Sequence, residues 1–231
     1  MKKNLKKMKT KQYWIDKFGE SWVDILKPLL KHPHMEELIN KITFDYAILE
    51  MYPENQDDIF KAFRLCPFDK VRAVIIGTEP GPHTGSNGLA FGGNNFHSNS
   101  SSVLIRNCVE QEYNDLKLDF DFTFESWAKQ GILMLNRNLT CRKVETNTHK
   151  QDWKSFFFSV IYILEKYKPG TIFLLWGTQA QKYSELLSQN HHVFSWEHPM
   201  KAFSEYRQWH CPNFKQIDKL IESLNGTKIQ W

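Results

Sequence analysis

The segment Val71–Gly77, with the sequence VRAVIIG, has the character of a strand that is buried on both faces. It is short and rich in β-branched residues, it ends in glycine, and a stretch rich in Gly, Pro and Asn follows it over residues 78–95. This pattern predicts a buried strand that leads into a long loop. Three further apolar runs are predicted to be strands: Gly131–Asn136, Thr171–Gly177 and His192–Trp196.

Segments with apolar residues at helical spacing surround these strands. The predicted helices are Tyr13–Leu30, Glu36–Met51, Val103–Leu116, Trp153–Tyr167, Ala180–Ser188 and Phe214–Leu224. The alternation predicts an α/β fold of three α/β/α layers around a central, mainly parallel four-stranded sheet. Ligands of such sheets bind at the carboxyl ends of the strands, so the polar clusters that follow the four strands are expected to meet on one rim.

Composition favours one folded domain. The 231 residues include 41% hydrophobic and 24% charged residues, unlike a disordered chain. No apolar run approaches the roughly 20 residues of a membrane span. Residues 1–12 are predicted to be a basic flexible tail and residues 13–231 a single domain. Without the six lysines of the tail, 24 basic residues face 26 acidic ones; the tail is interpreted as solvated, with non-specific attraction to phosphate as the alternative.

The amino terminus lacks the apolar core of a secretory signal, which predicts a cytoplasmic protein, or a nuclear one in a eukaryotic host. The four cysteines are scattered without a C-x-x-C pair, so reduced thiols, no metal and no cofactor are expected. They are Cys66, Cys108, Cys141 and Cys211.

Five polar blocks on the expected rim are not explained by packing. They are GTEPGPH (77–83), NGLAF (87–91), LMLN (133–136), LLWGTQAQ (174–181) and HP (198–199). In the same order, uracil-DNA glycosylases carry GQDPYH, HGLCF, LLLN, LLWGSxAQ and HPSPL. The chain therefore resembles this family over nearly its whole length beyond the tail.

The resemblance implies a pocket for a base that is swung out of DNA. Phe91 would stack on the base, and Asn136 would bind its Watson–Crick edge, with the Thr78 backbone beside it. The alternatives are an ordinary core aromatic for Phe91 and a strand-end turn residue for Asn136. Because a carboxamide can rotate, Asn136 indicates a pyrimidine rather than uracil alone.

The resemblance also implies two catalytic groups. During scission, positive charge grows on the sugar and negative charge on the departing base. Glu79 would position or activate water, and His198 would donate to the base carbonyl. The alternatives are a solvated loop acid and a structural histidine.

Contacts to DNA are expected from residues beyond the base pocket. Gly177 and Thr178 would bind a phosphate, which positions the DNA without specifying sequence. Lys201, Arg207 and Arg142 are further candidates, although an ordinary surface charge is the commoner explanation for each of them alone. Phe203, next to the Ala202 that aligns with the family's wedge leucine, is either a wedge or a core residue.

Departures from the family pattern concentrate in the first block. Glu79 stands where the family has aspartate, and the extra methylene moves the carboxylate by roughly 1.5 Å. Thr78 replaces glutamine, and Gly81 replaces a tyrosine that walls off C5 of the base. Pro82 stands at the family histidine, so His83 is only a possible water-binding residue. Residues 94–102 replace a proline-rich loop.

These features predict a monomeric, monofunctional DNA glycosylase that acts on single- or double-stranded DNA and leaves an abasic site. Gly81 favours a bulky 5-modified pyrimidine, such as a hydroxymethylated or glucosylated base of phage DNA, and a role in antiviral defence. Conventional uracil repair is the alternative within the class. A non-catalytic DNA-binding module on the same scaffold is the alternative from another class.

Overall fold

A parallel sheet of four strands lies at the centre of the structure, a computed structural model that describes residues 9–81, 85–93, 100–115, 119–211 and 213–231. The central sheet has the strand order β3-β2-β5-β6, and β1 pairs with β4 in a separate antiparallel ribbon. The strands within these ranges are β1 (Met51–Tyr52), β2 (Ala73–Gly77), β3 (Ile132–Asn136), β4 (Cys141–Arg142), β5 (Ile172–Trp176) and β6 (His192–Trp196). The predicted four-stranded parallel sheet is confirmed.

Helices cover both faces of this sheet. Since parallel crossovers are right-handed, the connections from β2 to β3 and from β3 to β5, which run in opposite directions, lie on opposite faces. The helices of the described residues are α1 (Lys11–Phe18), α2 (Glu20–Leu30), α3 (Pro33–Ile48), α4 (Lys61–Leu65), α5 (Ser100–Tyr113), α6 (Glu125–Lys129), α7 (Lys150–Tyr167), α8 (Thr178–Gln181), α9 (Pro199–Ser204) and α10 (Phe214–Asn225). The α/β/α arrangement is therefore confirmed.

Aromatic clusters fill the space between the sheet and each helical layer. On the α7 side, Phe63 packs edge-on against Trp22 and Phe156, with ring centroids 5.0 and 5.8 Å apart. On the α10 side, Trp231 packs against Trp127 and Phe214, with both centroid distances at 5.0 Å. Such buried rings contribute most of the apolar area of a core. They fix the sheet against both layers and thereby hold its carboxyl rim.

The sheet opens at the carboxyl ends of its two middle strands. The strands β2 and β3 pair along their full length, from Ala73–Ile132 to Gly77–Asn136. The strands β2 and β5 pair only as far as Ile75 and Leu174. The chain also reverses its winding direction between β2 and β5, the position at which open α/β sheets bind ligands.

Several predicted boundaries were wrong. A glycine with φ of 79°, Gly19, divides the predicted first helix into α1 and α2. The second predicted helix, Glu36–Met51, ends at Ile48, because Met51 pairs with Arg142 in the β1–β4 ribbon. The predicted helix Ala180–Ser188 is the short α8 followed by a 3-10 helix, Lys182–Leu186.

The chain begins its first helix within the predicted tail. Thr10 caps α1 by accepting a hydrogen bond from the Tyr13 amide, so the helix starts at Lys11. Residues 1–8 lie outside the described residues. In the described parts of the chain, no helix is long and apolar enough to cross a membrane.

The four cysteine thiols are free and buried. Burial raises the pKa of each thiol above its ordinary value, that of Cys108 to about 11. Buried, protonated thiols are poor nucleophiles. The cysteines therefore act as core residues.

Candidate active site

A cavity of about 130 Å³ occupies the opening between the ends of β2 and β5. It lies at the predicted rim, where the ladder between these strands has ended. Its walls include Gly77, Thr78, Arg137, Gly177, Thr178 and His198. Residues from three of the five polar blocks thus line one cavity.

The side chain of Asn136 lies against the backbone of Gly77, its partner in the β2–β3 ladder. A Cβ atom on Gly77 would stand 2.4 Å from the Asn136 Oδ1 and 2.9 Å from the Ala90 Cβ, so only glycine allows this approach. Asn136 is 3% exposed. Within the described residues, its carboxamide has no hydrogen-bond partner, so it is available to a ligand.

The ring of Phe91 lies beside the imidazole of His198. Their centroids are 5.6 Å apart, and the Phe91 ring also contacts Trp176 at 5.5 Å. The segment before Phe91 is fixed to β3, because the Ala90 amide donates to the Met134 carbonyl at 3.0 Å. Phe91 is only half-buried and has φ of 63°. It therefore lies at the border between the core and the rim.

The protonation of His198 follows from its contacts. Its Nδ1 accepts a hydrogen bond from the Met200 amide at 3.1 Å and caps α9. Burial lowers the pKa of His198 below its ordinary value. Since Nδ1 is an acceptor, the neutral ring carries its proton on Nε2. His198 is therefore a neutral donor.

Gly177 allows His198 to reach this position. A Cβ on Gly177 would stand 2.7 Å from the Cβ of His198. Gly177 has φ of 90° and ψ of 157°, a conformation that is nearly exclusive to glycine. Its amide donates to the Trp196 carbonyl at 2.7 Å, which ties the end of β5 to β6.

The carboxylate of Glu79 is half-buried and hydrogen-bonded. It accepts from the Asn147 amide, which is 2.9 Å from both carboxylate oxygens, and from the Asn138 Nδ2 at 3.2 Å. These contacts differ from those of a solvated loop acid. The extra methylene of Glu79 carries the carboxylate to the loop that follows β3.

A buried network holds that loop in place. His149 lies within 2.9 Å of Asp45 through Nε2 and 2.7 Å of the Thr140 hydroxyl through Nδ1. The Trp153 indole donates to the same hydroxyl at 2.7 Å. Burial lowers the pKa of His149, although Asp45 opposes this shift. A neutral His149 that donates to Asp45 and accepts from Thr140 satisfies the whole chain of bonds.

The remaining base-pocket candidates are only partly described. Thr78 lines the cavity, and its carbonyl accepts from the Asn138 amide at 3.0 Å. Gly81 is half-buried. His83, with Pro82, lies outside the described residues, and so do residues 94–99 of the predicted DNA-facing loop. Residues 100–102 of that loop form the first turn of α5.

The residues predicted to contact DNA are exposed, but one of them is already engaged in ion pairs within the protein. Thr178 is exposed at the start of α8, and Lys201 is exposed on α9. Phe203, also on α9, is 50% exposed and therefore is not a core residue. Arg207 is exposed, but its guanidinium forms a two-point ion pair with Glu197 and a further contact with Glu205. Its charge is thus already paired.

Three polar residues near the cavity were not predicted from the sequence. Arg137 lines the cavity and donates to the Asn147 side chain at 3.3 Å. Asn138 and Asn147 contact Glu79. The polar run Asn136–Asn138 directly after an apolar strand was the available signal, but it does not indicate which side chain turns toward the acid.

The fold and the residues of this rim are compatible with a hydrolase that acts on a base. A nearly buried amide can bind the edge of a base, and the imidazole donor beside an aromatic ring can stabilise the negative charge of that base as it departs. This combination at the switch point of a parallel sheet is expected of DNA glycosylases.

Comparison with known proteins specifies the family. Residues 63–225 match the uracil DNA glycosylase superfamily. The chain is 32% identical over 216 residues to a uracil-DNA glycosylase of Proteus mirabilis, covering 91% of this chain and 95% of the relative. It is 33% identical over 222 residues to one of Flavobacterium johnsoniae, with coverages of 93% and 99%. The chain belongs to the uracil DNA glycosylase superfamily, and it is a monofunctional DNA N-glycosylase.

Solved structures share the fold. The uracil-DNA glycosylase of mimivirus superposes with a TM-score of 0.82 at 21% identity, covering 97% of this chain and 90% of that one. The enzyme from Nitratifractor salsuginis superposes with a TM-score of 0.60 at 18% identity, with coverages of 94% and 95%. These likenesses extend over nearly the whole described chain.

Proposed function

We propose that this enzyme hydrolyses the N-glycosidic bond of a pyrimidine nucleotide that is swung out of DNA, and that it releases the free base and leaves an abasic site. One observation carries the proposal: a nearly buried carboxamide without a partner, Asn136, and a neutral imidazole donor, His198, belong to the same rim. Asn136 binds the Watson–Crick edge of the base. Phe91 provides the surface on which the base stacks.

Breaking the glycosidic bond separates charge, and a different side chain stabilises each of the two charges. As the bond between C1′ and the base breaks, its electron pair leaves with the base, and the Nε2–H of His198 donates to the base carbonyl that receives this charge. Positive charge develops on the sugar and is stabilised by the Glu79 carboxylate. Water then adds to C1′ with Glu79 as the acceptor of its proton.

The enzyme engages DNA as a monomer inside the cell. The backbone of Gly177 and the hydroxyl of Thr178 bind a phosphate near the flipped nucleotide. The exposed Phe203 fills the space in the duplex that the nucleotide leaves, and Lys201 adds attraction to the backbone. Arg207 takes a smaller part, because two carboxylates already pair with it.

A 5-substituted pyrimidine larger than uracil is the base that Gly81 favours. Glycine at this position removes the aromatic ring that the family pattern places beside C5 of the base. A hydroxymethyl or glucosyl group would then be accepted. Such bases occur in modified phage DNA, which makes antiviral defence the corresponding biological role.

Uracil itself is the second candidate. It is supported by the names of the relatives, which are uracil-DNA glycosylases at about one-third identity over almost their whole length. Asn136, Phe91 and His198 are compatible with uracil as well as with a larger pyrimidine. Uracil release would make the enzyme a base-excision repair protein.

Base release from defined DNAs distinguishes the two candidates. Single- and double-stranded oligonucleotides that carry uracil, mismatched thymine, 5-hydroxymethylpyrimidine or a glucosylated base are incubated with the enzyme, and abasic sites and free bases are measured. Exclusive, fast release of uracil would exclude the bulky-base proposal. Glu79→Gln and Asn136→Ala are the controls for chemistry. If the parent binds DNA tightly but releases no base from any substrate, catalysis itself is excluded.

The variant Gly81→Tyr tests the origin of specificity. Restoring the aromatic ring is expected to abolish release of a bulky base and to retain release of uracil. An equal loss on both substrates, together with a lower melting temperature, indicates misfolding instead.

A further inference from the structure

Arg137 is a cation on the wall of the cavity between the ends of β2 and β5. It directly follows Asn136, the last residue of β3. Its backbone amide donates to the Gly77 carbonyl at 3.0 Å, which continues the ladder between β2 and β3 by one hydrogen bond. The side chain is half-buried. The sheet therefore fixes the backbone from which this cation reaches the cavity.

The guanidinium of Arg137 is not neutralised by the protein. Among the described residues, no carboxylate forms an ion pair with it, and its Nη2 donates to a neutral acceptor, Asn147 Oδ1, at 3.3 Å. Its Nε is closed to solvent without a hydrogen-bond partner, whereas Nη1, also without a partner, remains open to solvent. The guanidinium of Arg207, in contrast, pairs with Glu197 and Glu205. A half-buried cation without a counter-ion is unfavourable, and an anionic ligand removes this cost.

The rest of the cavity wall adds hydrogen-bond donors and no negative charge. Within the part of the chain that the structure describes, this wall contains no Asp or Glu, and His198 is neutral, so its formal charge comes from Arg137. Thr178 reaches the cavity from the end of β5, and Arg137 reaches it from the end of β3. Since β2 lies between these two strands, donors approach one space from both sides of β2.

We propose that Arg137 binds a phosphate of the DNA strand that carries the flipped nucleotide, in the same cavity as Thr178. This inference rests on the proposed function, which brings DNA to this rim, and it assigns phosphate binding to a residue outside the five polar blocks. A guanidinium suits the oxygens of a phosphate, because its N–H groups form a planar fork. Nη1 makes the contact, and the bond from Nη2 to Asn147 orients the group.

This contact gives Arg137 a role that does not depend on the base. Phosphate contacts position DNA without reading its bases. Loss of the guanidinium should therefore weaken binding equally for DNA that carries uracil and for DNA that carries a larger pyrimidine. A substitution of Gly81 should instead discriminate between these two bases.

Binding to a duplex that carries tetrahydrofuran in place of the target nucleotide tests the contact without any base. In the full-length protein, Arg137→Ala is expected to raise the Kd about 10- to 100-fold. The slope of log Kd against the logarithm of the salt concentration should fall by about one.

Arg64→Ala is the matched control. Arg64 is also half-buried and, among the described residues, forms no ion pair. It lines a groove with Lys70 and Val71, which precede β2 and lie at the opposite end of the sheet from the cavity. This variant removes the same charge and should keep the parental Kd and salt dependence.

Neutral linkages identify the phosphate that Arg137 binds. A methylphosphonate replaces each phosphate near the tetrahydrofuran in turn, which removes one negative charge and leaves the base sequence unchanged. At the phosphate that Arg137 binds, this replacement should weaken binding by the parent but have almost no further effect on Arg137→Ala, because both changes remove the same contact. At the other phosphates, the two effects should add.

The outcomes separate the inference from the proposed function. If the effects of Arg137→Ala and of the methylphosphonates add at every phosphate, Arg137 binds none of them and the inference is wrong. If Arg137→Ala does not fold, Arg137→Gln, which keeps a donor for Asn147, enters the same comparison. A parent that shows the coupling but releases no base from any DNA supports the inference and refutes the proposed function. A parent that does not bind the duplex contradicts both.

Discussion

Two groups of residues at the carboxyl rim of the sheet differ in how closely they follow the family pattern. The residues proposed to contact the base, Asn136, Phe91 and His198, form the base-facing side and keep the family pattern. The segment after β2, here called the acid-facing side, departs from that pattern at Thr78, Glu79 and Gly81. Strand ends and close glycine contacts position the base-facing residues, whereas a loop contacts the Glu79 carboxylate. The departures from the family pattern are therefore concentrated around the proposed acid.

Two close backbone contacts predict that the base-facing side tolerates little change. Gly77 and Gly177 leave no room for a Cβ atom, because Gly77 lies against Asn136 and Gly177 lies against His198. A substitution there moves Asn136 or His198 directly. The acid-facing side instead depends on hydrogen bonds from Asn138 and Asn147, which side-chain length can adjust.

The largest expected effect comes from Glu79→Asp, which restores the residue of the family pattern. The shorter side chain withdraws the carboxylate from the Asn147 amide and from Asn138, so the single-turnover rate should fall about 100-fold. Glu145→Asp, an exposed acid in the same loop, is the matched control. A rate equal to or above that of the parent would show that the loop does not position the acid.

A smaller effect is expected on the base-facing side from Gly177→Ala. The new Cβ collides with His198, and the backbone conformation costs about 1–3 kcal/mol for a residue other than glycine. Turnover should fall about 10-fold, and the melting temperature should drop. Gly226→Ala also has positive φ, but it meets open space. It should lose stability without losing activity; equal activity losses in both variants would contradict this explanation.

The smallest expected effect is the pH response of His198. Its pKa is lowered by burial, so the ring stays neutral at neutral pH, and the rate on a releasable base should fall only below about pH 6.5. Because the unfolded state takes up the proton first, stability is unaffected above that pH and declines as the pH falls toward the folded-state pKa. Melting curves and single-turnover rates between pH 8 and 5 measure both effects.

The variant His198→Asn isolates the contribution of His198 to the pH dependence of stability. Asparagine can still cap α9 but does not titrate in this range. The difference in stability between the parent and His198→Asn should therefore change with pH only below about 6.5. The pKa of His149 is also lowered by burial, and this residue is present in both proteins. If the difference in stability between the two proteins does not vary with pH, titration of His198 does not cause the pH dependence.

Sequence patterns predicted the sheet and the meeting of the polar blocks because parallel strands carry their following residues to a common edge. Asn136 and His198 were found in this way. Patterns failed where a contact depends on distant segments. The helix predicted to reach Met51 ends earlier, because Met51 pairs with Arg142 in a β-ribbon. Arg207 was predicted to contact DNA, but its guanidinium already forms an ion pair with Glu197.

The amino-acid sequence by itself determined the α/β fold, the family and the candidate side chains for binding a base, since these follow from apolar periodicity and from motifs in a fixed order. Tertiary structure alone decided which nitrogen of His198 carries the proton, and that the Glu79 carboxylate is bound by Asn138 and Asn147. Both depend on hydrogen bonds whose partners are set by packing. The Asn138–Glu79 contact joins residues 59 positions apart, a separation at which no local pattern specifies a partner.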